Sequence, residues 1–259
     1  MTLEEYINNP IGKTNAILTV AARESIRNDY SRRFDNILLR ENGKINYYLF
    51  ENTKNNTYYI LVKVPSEVID NFYYEVVMKF SADAKVEDLG RNLLKYKVEF
   101  YSNDPWFVYT YAHAFIKNNM FIKDTLPRMS KLARTKKPNV TNPREDTGYV
   151  KSIFFAYLFM KQRGLFNVSQ YKGAEPYSQA SLLKKIEPAD QKIEKRQEEG
   201  KKYSKKKKLV VDKQLAKKIE SIGISDENKD RLVTTTNKVQ KVKKTRAVNK
   251  TKVIKPKRK

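Results

Sequence analysis

Cysteine is absent from this chain of 259 residues, histidine occurs once, and glycine occurs eight times. Without cysteine there is no disulfide framework and no thiol nucleophile. A single histidine excludes a histidine-rich metal centre and leaves His113 as the only imidazole for a serine-histidine-aspartate arrangement. Few glycines leave little material for a phosphate-binding loop. These absences exclude most familiar enzyme classes, and we therefore predict no catalytic residue, no cofactor and no bound metal.

Long apolar segments are also missing. No run reaches the roughly 18 consecutive apolar residues of a membrane span. The N-terminal segment Met1–Glu5 lacks the basic start and the apolar run of a signal peptide. We therefore expect no membrane partner, and a protein that is made and kept in a reducing cytosol or packed in a particle assembled there.

Positive charge is in excess, since 53 Lys+Arg against 29 Asp+Glu give a formal net charge of +24. Residues 186–259 hold 25 Lys+Arg, 10 Asp+Glu and one aromatic residue, Tyr203. A segment with so few aromatics and so much net charge cannot bury enough apolar surface to fold alone. We predict a folded domain over residues 1–185. Residues 186–259 are predicted to form a basic, largely disordered tail with short helices, one of them capped by Asp212.

The first half of the folded domain has the pattern of β-strands. Short runs rich in Tyr, Val, Ile and Phe are separated by turn-forming segments such as Asn42-Gly43, which is typical of a β-meander. Both alternating faces are apolar, so we expect helices to cover one of them. The predicted strands are Ile45–Phe50, Tyr58–Val64, Tyr73–Phe80 and Leu93–Tyr101.

The second half has the pattern of helices. Asp104 followed by Pro105 is a helix start signal, and apolar residues then recur four apart until Asn118. A longer amphipathic helix is predicted over residues 147–163, with Glu145 and Asp146 as acids of its first turn. The chain is thus predicted to be an α+β protein, in which an antiparallel meander of four or five strands precedes packed helices and the tail. A helical face near the N-terminus is formed by Ala22, Ile26, Tyr30, Phe34 and Leu38, although Phe34–Leu39 could instead be a strand.

Candidate catalytic groups have weak support. His113 shows no proton-transfer partner, so we expect a partly buried, hydrogen-bonded histidine beside aromatic packing. Glu75 and Lys79 stand four apart on one predicted strand, whereas a metal-dependent nuclease strand places its acid and lysine two apart. A nuclease therefore remains only a distant alternative.

Candidate binding groups are more numerous. Trp106 and the tyrosines of residues 47–101 could stack on nucleobases or could form the core. The arginines of the first long helix could be a solvated face or could bind an anionic partner; they are Arg23, Arg27, Arg32 and Arg33.

The tail carries the strongest functional signal. Each cation that neutralises a phosphate releases a counterion, which gives affinity without reading the sequence. No amphipathic aromatic anchor accompanies these lysines, which argues against a lipid surface. The segment could instead serve only as a solubilising tail, or could bind an acidic protein surface. We predict sequence-tolerant binding of nucleic acid, with DNA favoured, through three clusters: Lys205, Lys206, Lys207 and Lys208; Lys241, Lys243, Lys244 and Arg246; and Lys255, Lys257, Arg258 and Lys259.

The segments Phe100–Phe107 (FYSNDPWF) and Tyr149–Leu158 (YVKSIFFAYL), together with the heavy use of Lys, Asn, Tyr and Ile, are similar in style to small proteins of tailed bacteriophages with AT-rich genomes. The resemblance covers roughly residues 30–170 and carries over no site residue. It implies a virion, assembly or phage-DNA-associated role.

Two hypotheses follow from the tail and from this resemblance. The first is a non-catalytic bacteriophage structural or assembly protein, whose folded domain docks on a virion or assembly protein and whose tail contacts DNA or an acidic protein surface. The alternative is a free nucleic-acid-binding protein of phage replication or expression.

Overall fold

The computed structural model describes residues 1–10, 20–82, 92–171 and 173–204. The chain divides into two compact units, Met1–Gly200 and Lys201–Lys259. Of the second unit, the described residues 201–204 are helical. The first unit is an α+β structure, as predicted from the sequence. The predicted tail helix near Asp212 lies outside the described residues.

Strands β1 to β4 form the antiparallel meander predicted from the alternating sequence pattern. A two-residue strand, β5, lies parallel to β1 at one edge, so the strand order is β4-β3-β2-β1-β5. The sequence does not indicate this fifth strand, which is held by pairing with β1 and has no alternation of its own. The strands are β1 Tyr47–Asn52, β2 Thr57–Pro65, β3 Tyr73–Ser81, β4 Lys97–Ser102 and β5 Glu175–Pro176.

Seven α-helices surround the sheet in the described part of the first unit. A π-helical turn, Phe107–Tyr111, leads directly into α3. The helix expected around Phe34 is present in full, so the strand alternative for Phe34–Leu39 is wrong. The helices are α1 Leu3–Asn8, α2 Val20–Arg40, α3 Ala112–Lys117, α4 Lys131–Thr135, α5 Lys151–Gln162, α6 Gln179–Lys185 and α7, residues 189–200.

Both faces of the sheet are covered. Because side chains alternate along a strand and Tyr47 is paired with Val62, Tyr47 and Tyr59 lie on opposite faces. Phe159 of α5 packs on Tyr47, with ring centroids 5.5 Å apart. On the other face Tyr177 stacks on Tyr59 at 4.0 Å. The sheet is therefore a central layer, which explains why both faces of β2 and β3 are apolar in sequence.

Helix α5 is buried on nearly all sides, including Ile153, Phe154, Phe155 and Phe159. We expect Phe154→Ala to lower the free energy of unfolding by about 3–5 kcal/mol, because Phe154 is 3% exposed and its removal leaves a cavity. Lys161→Ala, at an exposed position of the same helix, should change it by less than about 0.5 kcal/mol. Urea unfolding of both variants measures the difference, and equal losses would contradict this packing.

The start of α5 differs from the prediction. The helix begins at Lys151 and has no acidic residue in its first turn. The expectation that Glu145 and Asp146 are first-turn acids is therefore wrong. Glu145 instead has a φ of 59° and pairs with Lys117 and with Lys137.

Helix α7 is anchored to the sheet by buried polar groups. Lys192 Nζ lies 3.2 Å from Glu75 Oε1 and 3.0 Å from Glu187 Oε2. Asn103 donates a hydrogen bond to Glu75 and another, at 3.2 Å, to the Glu187 carbonyl oxygen. Ala189 is fully buried. The domain boundary at residue 185 stays a prediction, and residues beyond it contribute to this buried layer.

Candidate functional site: a charged and aromatic cavity

A cavity of about 590 Å³ opens beside the end of the sheet. Its lining comes from α2, the turn after β2, the start of the helix after β4, the start of α5, and α7. This volume lies within the range of small-molecule sites, roughly 300–1,000 Å³. We call this cavity the aromatic cavity. Its charged and aromatic lining includes Arg33, Glu67, Asp104, Trp106, Tyr109, Lys151 and Arg196.

One wall of the aromatic cavity is an ion-pair cluster. Arg33 donates two hydrogen bonds to Glu67, from Nε at 2.6 Å and from Nη2 at 2.7 Å. Lys151 Nζ binds the same carboxylate. Burial opposes ionisation of Glu67, but the bonds from Arg33 and Lys151 prevail and hold its pKa below the usual range. Two cations thus share one carboxylate and keep their side chains ordered at the cavity wall.

The turn that presents Glu67 is fixed by local hydrogen bonds. Ser66 Oγ accepts from the backbone N–H groups of Val68 and Ile69, at 3.3 and 3.2 Å. Arg40 Nη2 donates to the Ser66 carbonyl oxygen at 2.5 Å. These bonds tie the turn to α2 and place Glu67 opposite Arg33.

Asp104 is the second carboxyl group of the aromatic cavity. Its Oδ1 accepts from the Trp106 backbone N–H at 3.0 Å, which confirms the predicted helix cap. Its own backbone N–H donates to Ser102 Oγ at 3.1 Å. Burial raises the pKa of Asp104 above its ordinary value, although hydrogen bonds from the Trp106 backbone and Ser152 act against this. Together with Glu67, Asp104 faces three cations of the lining, Arg33, Lys151 and Arg196, so the cations are in excess.

Aromatic side chains form the rim. Trp106 is 54% exposed and Tyr109 is 38% exposed. Both side chains line the aromatic cavity. Val68 beside them is also exposed. An exposed tryptophan and tyrosine above a charged wall can hold a planar ligand by stacking.

Arg196 of α7 completes the lining. Its Nε donates to the Tyr74 hydroxyl at 2.7 Å, which fixes the guanidinium group over the cavity. Arg196 is exposed and stands one helical turn after the buried Lys192. The same helix therefore supplies the sheet anchor and a cation at the cavity.

The structure separates the predicted binding residues. Arg33 lines the aromatic cavity, whereas Arg32 pairs with Asp29, and Arg23 and Arg27 donate to asparagine side chains of the N-terminal segment. Most tyrosines of residues 47–101 are core residues: Tyr58, Tyr59, Tyr74, Tyr96 and Tyr101 are buried. The basic tail clusters, from Lys205 to Lys259, lie outside the described residues.

The candidate catalytic groups from the sequence do not come together. His113 Nε2 is 3.8 Å from Glu145 Oε1, and its Nδ1 has no hydrogen-bond partner in the part of the chain that the structure describes. Glu75 is paired with Lys192, and Lys79 is paired with Glu99 on β4. Within the described ranges, the histidine and acidic side chains form no group of three that could hold a metal ion.

Sequence reasoning missed Glu67, Lys151 and Arg196. Glu67 lies in a turn and the other two contact it or the cavity through long-range packing, which leaves no periodic signal. One signal was available at Lys151. A lysine in the first turn of a helix opposes the helix dipole, so its presence there without an acid suggests a local need for positive charge.

Comparison of the chain with protein-family models, with curated proteins and with solved structures gives no match. Among the described helices, none is both long and apolar enough to cross a membrane. The interpretation of function therefore depends on the residues and geometry given above.

Proposed function

We propose that the protein is a non-catalytic structural or assembly protein of a bacteriophage particle, which binds nucleic acid through its basic tail and a protein partner through its first compact unit. The observation that carries the proposal is the division of charge. Residues 201–259 hold 22 Lys+Arg and 5 Asp+Glu, and no acidic residue follows Asp230. Such a segment neutralises phosphates without competition from its own carboxylates.

The first unit has a different charge arrangement, which supports assigning the phosphate contacts to the tail. Its cations share carboxylates in ion-pair clusters: Arg33 and Lys151 at Glu67, Lys117 and Lys137 at Glu145, and Lys192 and Lys195 at Glu187. A paired cation must give up its carboxylate before it contacts a phosphate. The bacteriophage assignment is supported by the resemblance of residues 100–107 and 149–158 to phage proteins, and it places the protein in the virion or the host cytoplasm.

We expect removal of Lys238–Lys259 to weaken binding to unrelated duplexes alike and to flatten the salt dependence. If six to eight of these cations contact phosphates, the slope of log K against log salt is about −5 to −7 for the full chain. Salt titrations on the full and shortened chains measure this slope. A matched control exchanges the lysines of this segment for arginine, which keeps every charge and should keep the slope. An unchanged slope after removal would refute the tail as the phosphate contact.

The second candidate, a free nucleic-acid-binding protein of replication or expression, is favoured by one observation, the exposed Trp106 and Tyr109 beside cations. The two functions differ in where the protein is found. Recovery in fixed stoichiometry with purified particles supports the first. Absence from particles, with tight single-strand binding by the first unit, supports the second.

A further inference from the structure

We propose that the aromatic cavity binds one nucleotide unit, with its base stacked on Trp106 and Tyr109 and its phosphate held by Arg196. All of its lining residues lie in the first unit, and none lies in residues 201–259. The tail predicts contact with phosphates alone, whereas the aromatic cavity offers both a stacking surface and cations.

The stacking surface is unusual for this chain. Most of its aromatic side chains are buried, but Trp106 is more than half exposed at the cavity rim, and Tyr109 is exposed beside it. Base–aromatic stacking contributes about 1–3 kcal/mol for each base and tolerates any base, because every base has a π-face. An exposed indole and an exposed phenol that line one cavity are therefore suited to a nucleobase.

The charge of the lining fits a phosphate. Three cations, Arg33, Lys151 and Arg196, line the cavity with two carboxyl groups, Glu67 and Asp104. Three cations against two carboxyl groups leave an excess of positive charge in the lining, even with both carboxyl groups ionised. Arg196 uses its Nε for the Tyr74 hydroxyl, and the remaining guanidinium nitrogens suit the forked binding of phosphate oxygens.

The supporting groups are already ordered without a ligand. Arg33 and Lys151 are held by Glu67, and Arg196 is held by Tyr74. The Asp104 cap holds the backbone at Trp106, and the indole packs edge-on against the Tyr111 ring, with centroids 6.2 Å apart. Order in the free protein reduces the entropy that binding must overcome. The positive end of α5, at Lys151, adds to the favourable potential for an anion.

Fluorescence gives a direct test, because Trp106 is the only tryptophan of the chain. We expect adenosine monophosphate, added to the full-length protein, to quench tryptophan emission in a saturable manner. Inorganic phosphate should compete with it without quenching. A single-stranded oligonucleotide with no terminal phosphate distinguishes an internal unit of a strand from a free nucleotide as the ligand. This oligonucleotide quenches the tryptophan emission only if the cavity accepts an internal unit.

The variant Arg196→Gln should weaken binding of adenosine monophosphate about tenfold or more, the contribution of a charge-assisted hydrogen bond. Lys195→Gln is the matched control, because it removes the same charge from the neighbouring residue, whose side chain is 62% exposed and does not line the cavity. Residues 201–259 are identical in all three proteins, so they cannot produce a difference between them.

Equal affinity of Arg196→Gln and the unchanged protein, or no saturable quenching at millimolar nucleotide, would overturn the nucleotide site. Quenching by a poly-glutamate peptide, with none by nucleotide, would also overturn it in favour of an acidic protein ligand. These outcomes are distinguishable from failure of the proposed function, which is measured on duplex DNA through the salt dependence of the tail.

Discussion

Replacing Lys192 by methionine is expected to lower the free energy of unfolding by about 3–5 kcal/mol, the usual cost of leaving a buried charge without its partner. The side chains of Lys192 and Glu75 are 8% and 5% exposed, and the ion pair between them is completed by Glu187 and Asn103. Methionine keeps much of the lysine volume, so the loss measures the charge and not a cavity. Urea unfolding measures it.

Lys195→Met is the matched control on the same helix. Lys195 pairs with the same carboxylate, Glu187, but its side chain is 62% exposed, so solvent replaces the lost interaction and the urea midpoint should hardly move. Adding Glu75→Gln to Lys192→Met should recover part of the loss, because the unpaired buried charge is then gone. Equal losses in Lys192→Met and Lys195→Met would show that the buried pair does not anchor α7.

The second large effect is expected from two shortened chains. A chain ending at Gly200 should keep a cooperative thermal transition, because the first compact unit ends there. A chain ending at Lys185 loses Ile186, Ala189 and Lys192, all buried, and leaves Glu75 without its cation. We expect this chain to lose the cooperative transition or to aggregate.

Calorimetry of both shortened chains tests the domain boundary. The sequence places it at residue 185, because charge rises and aromatics stop there. A cooperative transition in the chain ending at Lys185, with the melting temperature of the longer one, would support that boundary and contradict the role given to α7.

The meander could be predicted because its signal is local. Each strand segment shows alternating side chains and is bounded by turn residues. Both faces of the sheet carry apolar residues, which indicates that both faces are buried. The cap at Asp104 and Pro105 is equally local, since it depends on two neighbouring residues and one backbone N–H. In such cases the sequence and the fold carry the same information.

The start of α5 was mispredicted because distant residues decide it. Asn142 Oδ1 accepts from the Asp146 backbone N–H at 3.0 Å, and its Nδ2 donates to the Thr110 carbonyl oxygen at the same distance. Gly148 has a φ of 43°, and a Cβ there would lie 2.5 Å from the Tyr111 ring. This segment is therefore held as a turn against the helix after β4, although its composition suits a helix start.

The aromatic cavity was only partly visible in sequence. The sequence offers Trp106 as a base-stacking or a core residue, and Arg33 as part of a solvated face or of an anion-binding surface. Nothing in the sequence decides between these roles. Glu67 and Lys151 are 84 residues apart, and their ion pair exists only because α5 packs beside the turn after β2. Neither periodicity nor composition encodes that contact.

The most direct test of the account separates the two units and measures each on unrelated DNA duplexes across salt concentrations. We predict that residues 201–259 alone bind with a slope of log K against log salt within about one of the full chain, and that residues 1–200 bind the same duplexes far more weakly. The opposite pattern, with full affinity retained by residues 1–200 and none by residues 201–259, would contradict the assignment of nucleic-acid binding to the tail.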